Sequence, residues 1–395
     1  MSKRGVREHM PTGQFFYSSY RESPSLYNFT YREYEPEDRK QGLTLHIKNS
    51  AMIFARIGCQ NMMHQLHDEV LPMIATAAGI DELQQSVWPG DESLLLVAVD
   101  GFNTKQKPKG PLEALGEAME IQQIPFKVLG RLGHHKIKHI CFEKAYVGLE
   151  TSTTWYHYGF RQMQGPIEGM DMEAVGKNAK LITEWLVQQL RSQAKKPVTF
   201  REEESGKSFI TVISRNNSRI MLNEADFIAD LQRAFPNCVV KVIDEQRDSF
   251  LTMVETVRRS VALIGMHGAL MIMAMFLAPK SAVIEMFPFG IPAENYSPYR
   301  TLASLPHFDL YYRSWVNPFE AEPYNRGHPN WVRIYGGLKH LPASYAAGVL
   351  ATKTVPKHKC CTSPFWLYRI YQDTWIDSNA IISLLRQSEQ AVLQK

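Results

Sequence analysis

Between residues 209 and 288 the chain alternates short, nearly all-apolar runs with amphipathic stretches. The apolar runs are "FITVIS" (209–214), "CVVKVI" (238–243), "VALIG" (261–265) and "SAVIEMFP" (281–288). Runs that are apolar on both faces and this short are strands of a parallel sheet, because helices on both sides must cover them. The intervening "NEADFIADLQRAF" (223–235), "SFLTMVETVRRS" (249–260) and "ALMIMAMFLA" (269–278) read as those helices, with Asn223 as an N-cap. Strand–helix–strand units connect right-handedly, so few topologies remain.

A similar pattern runs upstream. "LTLHIKNSAMIFARI" (43–57) alternates like strands, and "CQNMMHQLHDEVLPMIATAAGI" (59–80) has helical spacing. "SLLLVAVD" (93–100) reads as a strand, "PLEALGEAMEI" (111–121) as a helix followed by "FKVLG", and "HHKIKHICFEKAYVGL" (134–149) as further strands. A long amphipathic helix covers 172–193, and the charged 194–208 segment reads as a linker. The expected organisation is an irregular segment (1–44), a first Rossmann-like lobe (45–200), a second, nucleotide-sugar-binding lobe (201–358) and a helical tail (359–395). The fold class is α/β, two Rossmann-like lobes with a cleft between them.

An apolar fraction of 44% with 21% charged residues supports a globular core. The net charge of +4 is too small to imply nucleic acid. No window reads as a membrane span or a signal peptide. The five cysteines form no C-x-x-C pair, which argues against a zinc knuckle. Sequons at Asn28, Asn216 and Asn295 hint at a secretory route.

"GMHGA" (265–269) sits between a strand and a helix. Gly265 and Gly268 allow a sharp turn there, and the N–H groups at Ala269 make an anion site at the carboxyl end of a parallel strand. His267 can donate to a phosphate oxygen. Glu285, at the end of the next strand, can accept from both ribose hydroxyls. Arg215 and Arg219 follow the first strand of this half, and arginine forks suit phosphate. A core histidine and a solvated basic turn are the plainer readings of the same residues.

In the first half, His64 and Asp68 stand four apart on one helical face, with Asn61 and His67 beside them. An Asp–His pair can act as a general base, or be a surface ion pair. His67 and Asp68, being adjacent, are expected to point differently. "STTWYHYGF" (152–160) offers Trp155 and Tyr158 as sugar platforms, although rings more often fill cores. There is no D-x-D, Asp171-Met172-Glu173 being the nearest match. A diphosphate would therefore rest on helix dipoles and arginines, with no metal expected.

The stretches "CQNMMHQLHDEVLPM", "AYVGLETSTTWYHYGF", "ISRNNSRIMLNEAD", "LIGMHGAL", "VIEMFPF", "YSPYRTLASLP" and "CCTSPFWLYRIYQDT" resemble one glycosyltransferase family. It holds the protein O-linked-mannose β-1,4-N-acetylglucosaminyltransferases, the EGF-domain O-GlcNAc transferase and plant xylosyltransferases. The pattern N-x-x-H-x-x-x-D falls on Asn61, His64 and Asp68, and H-G-A on His267, Gly268 and Ala269. The resemblance implies a GT-B fold, UDP-GlcNAc as donor, inversion, an O-mannosylated protein as acceptor and the endoplasmic reticulum as location. It implies no cofactor. Together with the residue reading above, donor binding is expected at Arg215, Arg219, His267, Gly268, Ala269 and Glu285, and the base at Asp68, with His64 as partner or rival. Enzymes of this kind carry an N-terminal membrane anchor and a C-terminal fibronectin type III domain, and neither is read in this sequence. A non-catalytic glycan-binding or scaffolding relative, or a transferase with another acceptor, is the alternative.

Overall fold

The computed structural model describes residues 14–16, 26–28, 43–54, 56, 61–78, 95–98, 122–125, 137–159, 163–320, 336–360 and 362–393. The helix expected at 111–121 and the strand at 126–130 lie outside these. The chain divides into two compact units, Met1–Gln60 with His64–Thr153, and Asn61–Met63 with Thr154–Lys395.

The first unit holds a small antiparallel pair, β1 (Gln14–Phe16) and β2 (Leu26–Asn28), and a four-stranded sheet. The sheet contains β3 (Leu43–Phe54), β4 (Leu95–Ala98), β5 (Gln122–Pro125) and β6 (Ile137–Val147) in the order β5-β4-β3-β6. All its pairings are parallel. Residues 43–54 and 137–147 are each one continuous strand. The helix after β3 begins as α1 (Met62–His64), widens into a π-helical segment (Gln65–Val70) and resumes as α2 (Leu71–Ala78). It buries Leu66, Val70, Leu71 and Ile74, the spacing seen in the sequence.

The second unit begins with the short pair β7 (Tyr156–His157) and β8 (Gly165–Pro166), then α3 (Met172–Ser192). Asp171 caps α3 by accepting from the Ala174 N–H at 3.0 Å. The five-stranded sheet contains β9 (Phe209–Ile213), β10 (Val239–Ile243), β11 (Ser260–Met266), β12 (Ala282–Phe287) and β13 (Tyr311–Val316). Its order is β10-β9-β11-β12-β13, all parallel. Between strands run α4 (Glu224–Ala234), α5 (Phe250–Arg258), a 3-10 helix (Ala269–Phe276) and α6 (Pro298–Ser304). Among the described residues, three helices follow β13: α7 (Ala343–Ala351), α8 (Pro364–Ile370) and α9 (Ser378–Leu393). Among the described residues no helix is long and apolar enough to cross a membrane.

The structure departs from the expected organisation in four places. The division between units falls after Thr153, not near residue 200, because α3 belongs with the second unit. Its Arg191 pairs with Glu255 of α5 at 2.6 Å, and a Cβ on Gly176 would lie 2.3 Å from the Pro306 carbonyl oxygen. The 194–208 segment is more than a solvated linker: Glu204 is buried and accepts from Lys241 Nζ at 2.6 Å. Residues 269–276 form a 3-10 helix instead of an α-helix. The 359–395 segment is no separate tail, since Ile376, Ile381 and Leu385 share one core with Ile210, Val212, Ile264 and Ile284.

Asn223 stands at the N-cap position of α4, yet its side chain does not cap the helix. Its Nδ2 donates to the Ile376 carbonyl at 2.9 Å and its Oδ1 accepts from the Ile376 N–H at 2.8 Å. This double bond ties the loop after β9 to the entry of α9. Asn223→Ala leaves two buried backbone groups unpaired and should cost about 2 kcal/mol or more in urea unfolding. An unchanged midpoint would show that this tie carries no stability.

Candidate functional site

The strand order of the second sheet fixes where a ligand can sit. β9 comes first in the chain, β10 lies on one side of it and β11 on the other. Connections leave in opposite directions there, which opens a crevice beyond the carboxyl ends of β9 and β11. Arg215 and Arg219 follow β9, and His267, Gly268 and Ala269 follow β11, so all five meet at that switch point.

Gly268 shows how tightly they meet. A Cβ there would lie 3.0 Å from an Nη1 of both Arg215 and Arg219. The glycine serves close approach rather than turning, because its φ of 165° is ordinary extended backbone. Gly265 likewise makes room: a Cβ would lie 2.8 Å from the Met271 sulfur and 3.1 Å from Ile213.

The guanidinium positions are built in. Arg219 Nη1 donates to the His267 carbonyl at 2.8 Å, and Arg215 Nε donates to the Ser218 carbonyl at 3.0 Å. Arg219 has a left-handed φ of 57°, a conformation that costs a non-glycine residue energy and clusters at functional sites. The loop is held there by Asp373, which accepts from the Ile220 N–H at 2.9 Å, and by the Thr374 N–H to the Ile220 carbonyl at 2.9 Å. The Tyr371 ring lies under the Arg219 guanidinium at 5.2 Å.

Burial pushes the Arg219 guanidinium down to about 9, and the like charge of Arg215 adds to the effect. Burial also lowers Arg215. Neither arginine forms an ion pair with a carboxylate among the described residues, and Arg219 Nε is buried without a hydrogen-bond partner. Two adjacent, partly buried cations without a directly paired carboxylate among the described residues are costly unless an anion completes them. A diphosphate supplies that charge and suits both forks.

Behind this cradle, His267 Nδ1 lies 2.5 Å from Glu285 Oε1, and Tyr312 donates to Glu285 Oε2 at 2.6 Å. The imidazole stacks on Phe287, centroids 4.9 Å apart. The Tyr299 hydroxyl donates to the Gly268 carbonyl at 2.7 Å, and Met271 N–H donates to the same carbonyl as the 3-10 helix begins at Ala269. Glu285 is 0% exposed and both its oxygens are engaged, so it orients His267 and cannot reach a ribose, contrary to expectation. Sequence reasoning missed Tyr299, Tyr312, Phe287, Tyr371 and Asp373. Each acts across strand pairing or a long loop; the stretches "VIEMFPF", "YSPYRTLASLP" and "RIYQDT" contain four of them but gave no role to any, and Tyr312 lies in none.

The first unit holds the other cluster. His64 Nδ1 lies 2.6 Å from Asp68 Oδ2 and His67 Nδ1 2.7 Å from Asp68 Oδ1, so one carboxylate serves two rings. His67 does not point away as expected. Both His67 and Asp68 lie in the π-helical segment, a geometry common at functional sites. Asn61 Oδ1 accepts from the Met63 N–H at 3.0 Å at the start of α1. Burial raises the Asp68 carboxyl, but the charge of His67 and the bonds from both histidines outweigh it and hold it at about 2. At 1% exposure and that acidity, Asp68 is a poor proton acceptor, whereas His64 retains 13% exposure. With Nδ1–H given to Asp68, the lone pair of His64 sits on Nε2. Of the two, His64 is the better placed to accept a proton, with Asp68 orienting its ring. Trp155 is 0% exposed, with Nε1 donating to the Pro298 carbonyl at 3.3 Å, so it is core and no sugar platform. Tyr158 is half-buried, edge-on to Tyr156.

The lowered pKa of Asp68 has a definite sign. Its stabilisation is present above its ordinary value of 3.8 and is lost as pH falls through about 2. In urea unfolding, the advantage of the wild type over Asp68→Asn should shrink by about 2 kcal/mol between pH 5 and pH 2. A pH-independent difference would contradict the charge assignment.

The family model for glycosyltransferase 61 matches residues 62–284, which include both clusters. A Tetraodon nigroviridis relative, "Protein O-linked-mannose beta-1,4-N-acetylglucosaminyltransferase 2", is 34% identical over 87% of this chain and 55% of its own length. Proteins with the same description from Danio rerio and Bos taurus are 34% and 33% identical over 86% of this chain and 54% of their own length. The chain thus spans about half the length of the curated relatives it matches. A solved glycosyl transferase family 9 structure from Veillonella parvula aligns over 89% of this chain and 99% of its own, with 10% identity and a TM-score of 0.32, too low to bear on the fold. With a family match over more than half its length, the chain belongs to the glycosyltransferase 61 family.

Proposed function

We propose that this chain is an inverting glycosyltransferase that moves N-acetylglucosamine from UDP-GlcNAc to O-linked mannose on a protein, forming a β-1,4 linkage. In this reading the two units are Rossmann-like lobes of a GT-B enzyme, working in the endoplasmic reticulum. The observation that carries it is the converging Arg215 and Arg219 pair over Gly268 at the switch point of a parallel sheet, with no ion-paired carboxylate on either among the described residues. The acceptor is carried over from the descriptions of the relatives. The disulfide-bonded state of Cys360 accords with an oxidising compartment.

The donor diphosphate lies on both guanidinium groups and the N–H groups at the start of the 3-10 helix, without a metal. Glu285 accepts a hydrogen bond from Nδ1–H of His267, and the ring, with Nε2 also protonated, donates Nε2–H to a phosphate oxygen. These groups stabilise the charge that grows on the leaving phosphate. The mannose hydroxyl oxygen attacks the anomeric carbon while its proton passes to His64 Nε2. The bond from that carbon to the phosphate oxygen breaks, and UDP leaves with the electron pair. Asp68 stabilises the imidazolium that forms.

The test is transfer from UDP-GlcNAc to an O-mannosylated peptide, read by mass spectrometry and by the linkage in NMR. One β-linked N-acetylhexosamine should be added per UDP released. His64→Ala should lower turnover by about two orders of magnitude or more and leave UDP affinity unchanged. Bound UDP with no sugar transferred would overturn the reading, and full turnover by His64→Ala would remove that residue from the mechanism.

A further inference from the structure

With Glu285 sealed inside the sheet, the donor reading leaves the ribose hydroxyls without an acceptor. A depression beside the arginine pair, lined by Arg215, Asn216, Asp244, Glu245, Gln246 and Leu270 among others, offers one. It opens beyond the carboxyl ends of β9 and β10, the first and second strands of this sheet in chain order. In doubly wound sheets, phosphate at the turn after the first strand sends the ribose toward the second, where a carboxylate accepts from the sugar hydroxyls.

Two carboxylates follow β10. Asp244 is buried and committed: Oδ1 accepts from the Gln246 N–H at 2.8 Å and Oδ2 from Arg247 Nε at 3.0 Å. Glu245 is exposed, and its charge acts on both Arg215 and Arg219, so it stands within electrostatic reach of the phosphate cradle without pairing there. Asn216 Nδ2 donates to Gln246 Oε1 at 2.8 Å, tying the two rims together. Leu270, buried at the start of the 3-10 helix, gives an apolar wall. Arg215 belongs to both the cradle and the depression, which makes them one continuous surface.

We propose that this depression is the ribose subsite and that Glu245 accepts hydrogen bonds from the vicinal hydroxyls of a ribonucleoside diphosphate. The inference rests on the donor reading above and assigns a specificity-determining residue to it.

Titration calorimetry of UDP, 2′-deoxy-UDP and inorganic pyrophosphate against the wild type and Glu245→Gln tests it. The wild type should prefer UDP over 2′-deoxy-UDP by about tenfold, the scale of one hydrogen bond to a charged group. Glu245→Gln should bring UDP down to the 2′-deoxy-UDP level. Pyrophosphate should bind the variant no more weakly, because only a nearby negative charge has been removed. Equal binding of the two nucleotides by the wild type, or a preference that survives Glu245→Gln, would overturn the subsite while leaving the phosphate cradle intact. Failure of the wild type to bind either UDP or pyrophosphate would instead sink the donor reading, and this assignment with it.

Discussion

Two guanidinium groups held side by side, without a carboxylate between them, impose the main constraint on the second unit. Like charges in a partly buried setting repel, and burial penalises each of them. The surroundings are organised to keep them there. Arg219 is fixed by its left-handed backbone, by the His267 carbonyl and by the Tyr371 ring. Arg215 is fixed by the Ser218 carbonyl. The glycine at 268 lets both approach the backbone. From the C-terminal segment, Asp373 holds the same loop at Ile220 and Ile376 holds it through Asn223, which explains why that segment is integral to the sheet's core. Such an arrangement is unfavourable alone and favourable once an anion arrives.

The two units repeat one design with different chemistry. Each has a parallel sheet in which the first strand is flanked on one side by the second and on the other by a later strand. In each, polar side chains follow that first strand. After β9 they are arginines, suited to phosphate. After β3 they are His64, His67 and Asp68, suited to moving a proton. The π-helical segment carrying His67 and Asp68 lets one carboxylate reach both rings. Strand order creates the position, and the side chains decide its use.

Much of this was legible in the sequence. The apolar runs at 209–214, 238–243, 261–265 and 281–288 are buried strands because they have no polar face to expose. Arg215, Arg219, His267 and Gly268 were legible because each sits just after such a run. The role of Glu285 was not, because it depends on Tyr312, a residue brought close only by the pairing of β12 with β13. The histidine–carboxylate cluster followed the same logic: spacing put His64 and Asp68 on one face, but not the second ring, His67, which together with His64 holds the Asp68 carboxyl low. Trp155 misled because an aromatic cluster in sequence does not tell a core from a binding face. The unit boundary misled because charge at 194–208 was read as exposure, whereas Glu204 is buried against Lys241.

The most direct measurement is a crystal structure with UDP bound. This account places the diphosphate within hydrogen-bond distance of the Arg215 and Arg219 guanidinium groups, His267 Nε2 and the Ala269 N–H, with Glu285 still turned inward on His267. Phosphates bound elsewhere, or Arg215 and Arg219 left without an anion between them in the complex, would contradict it.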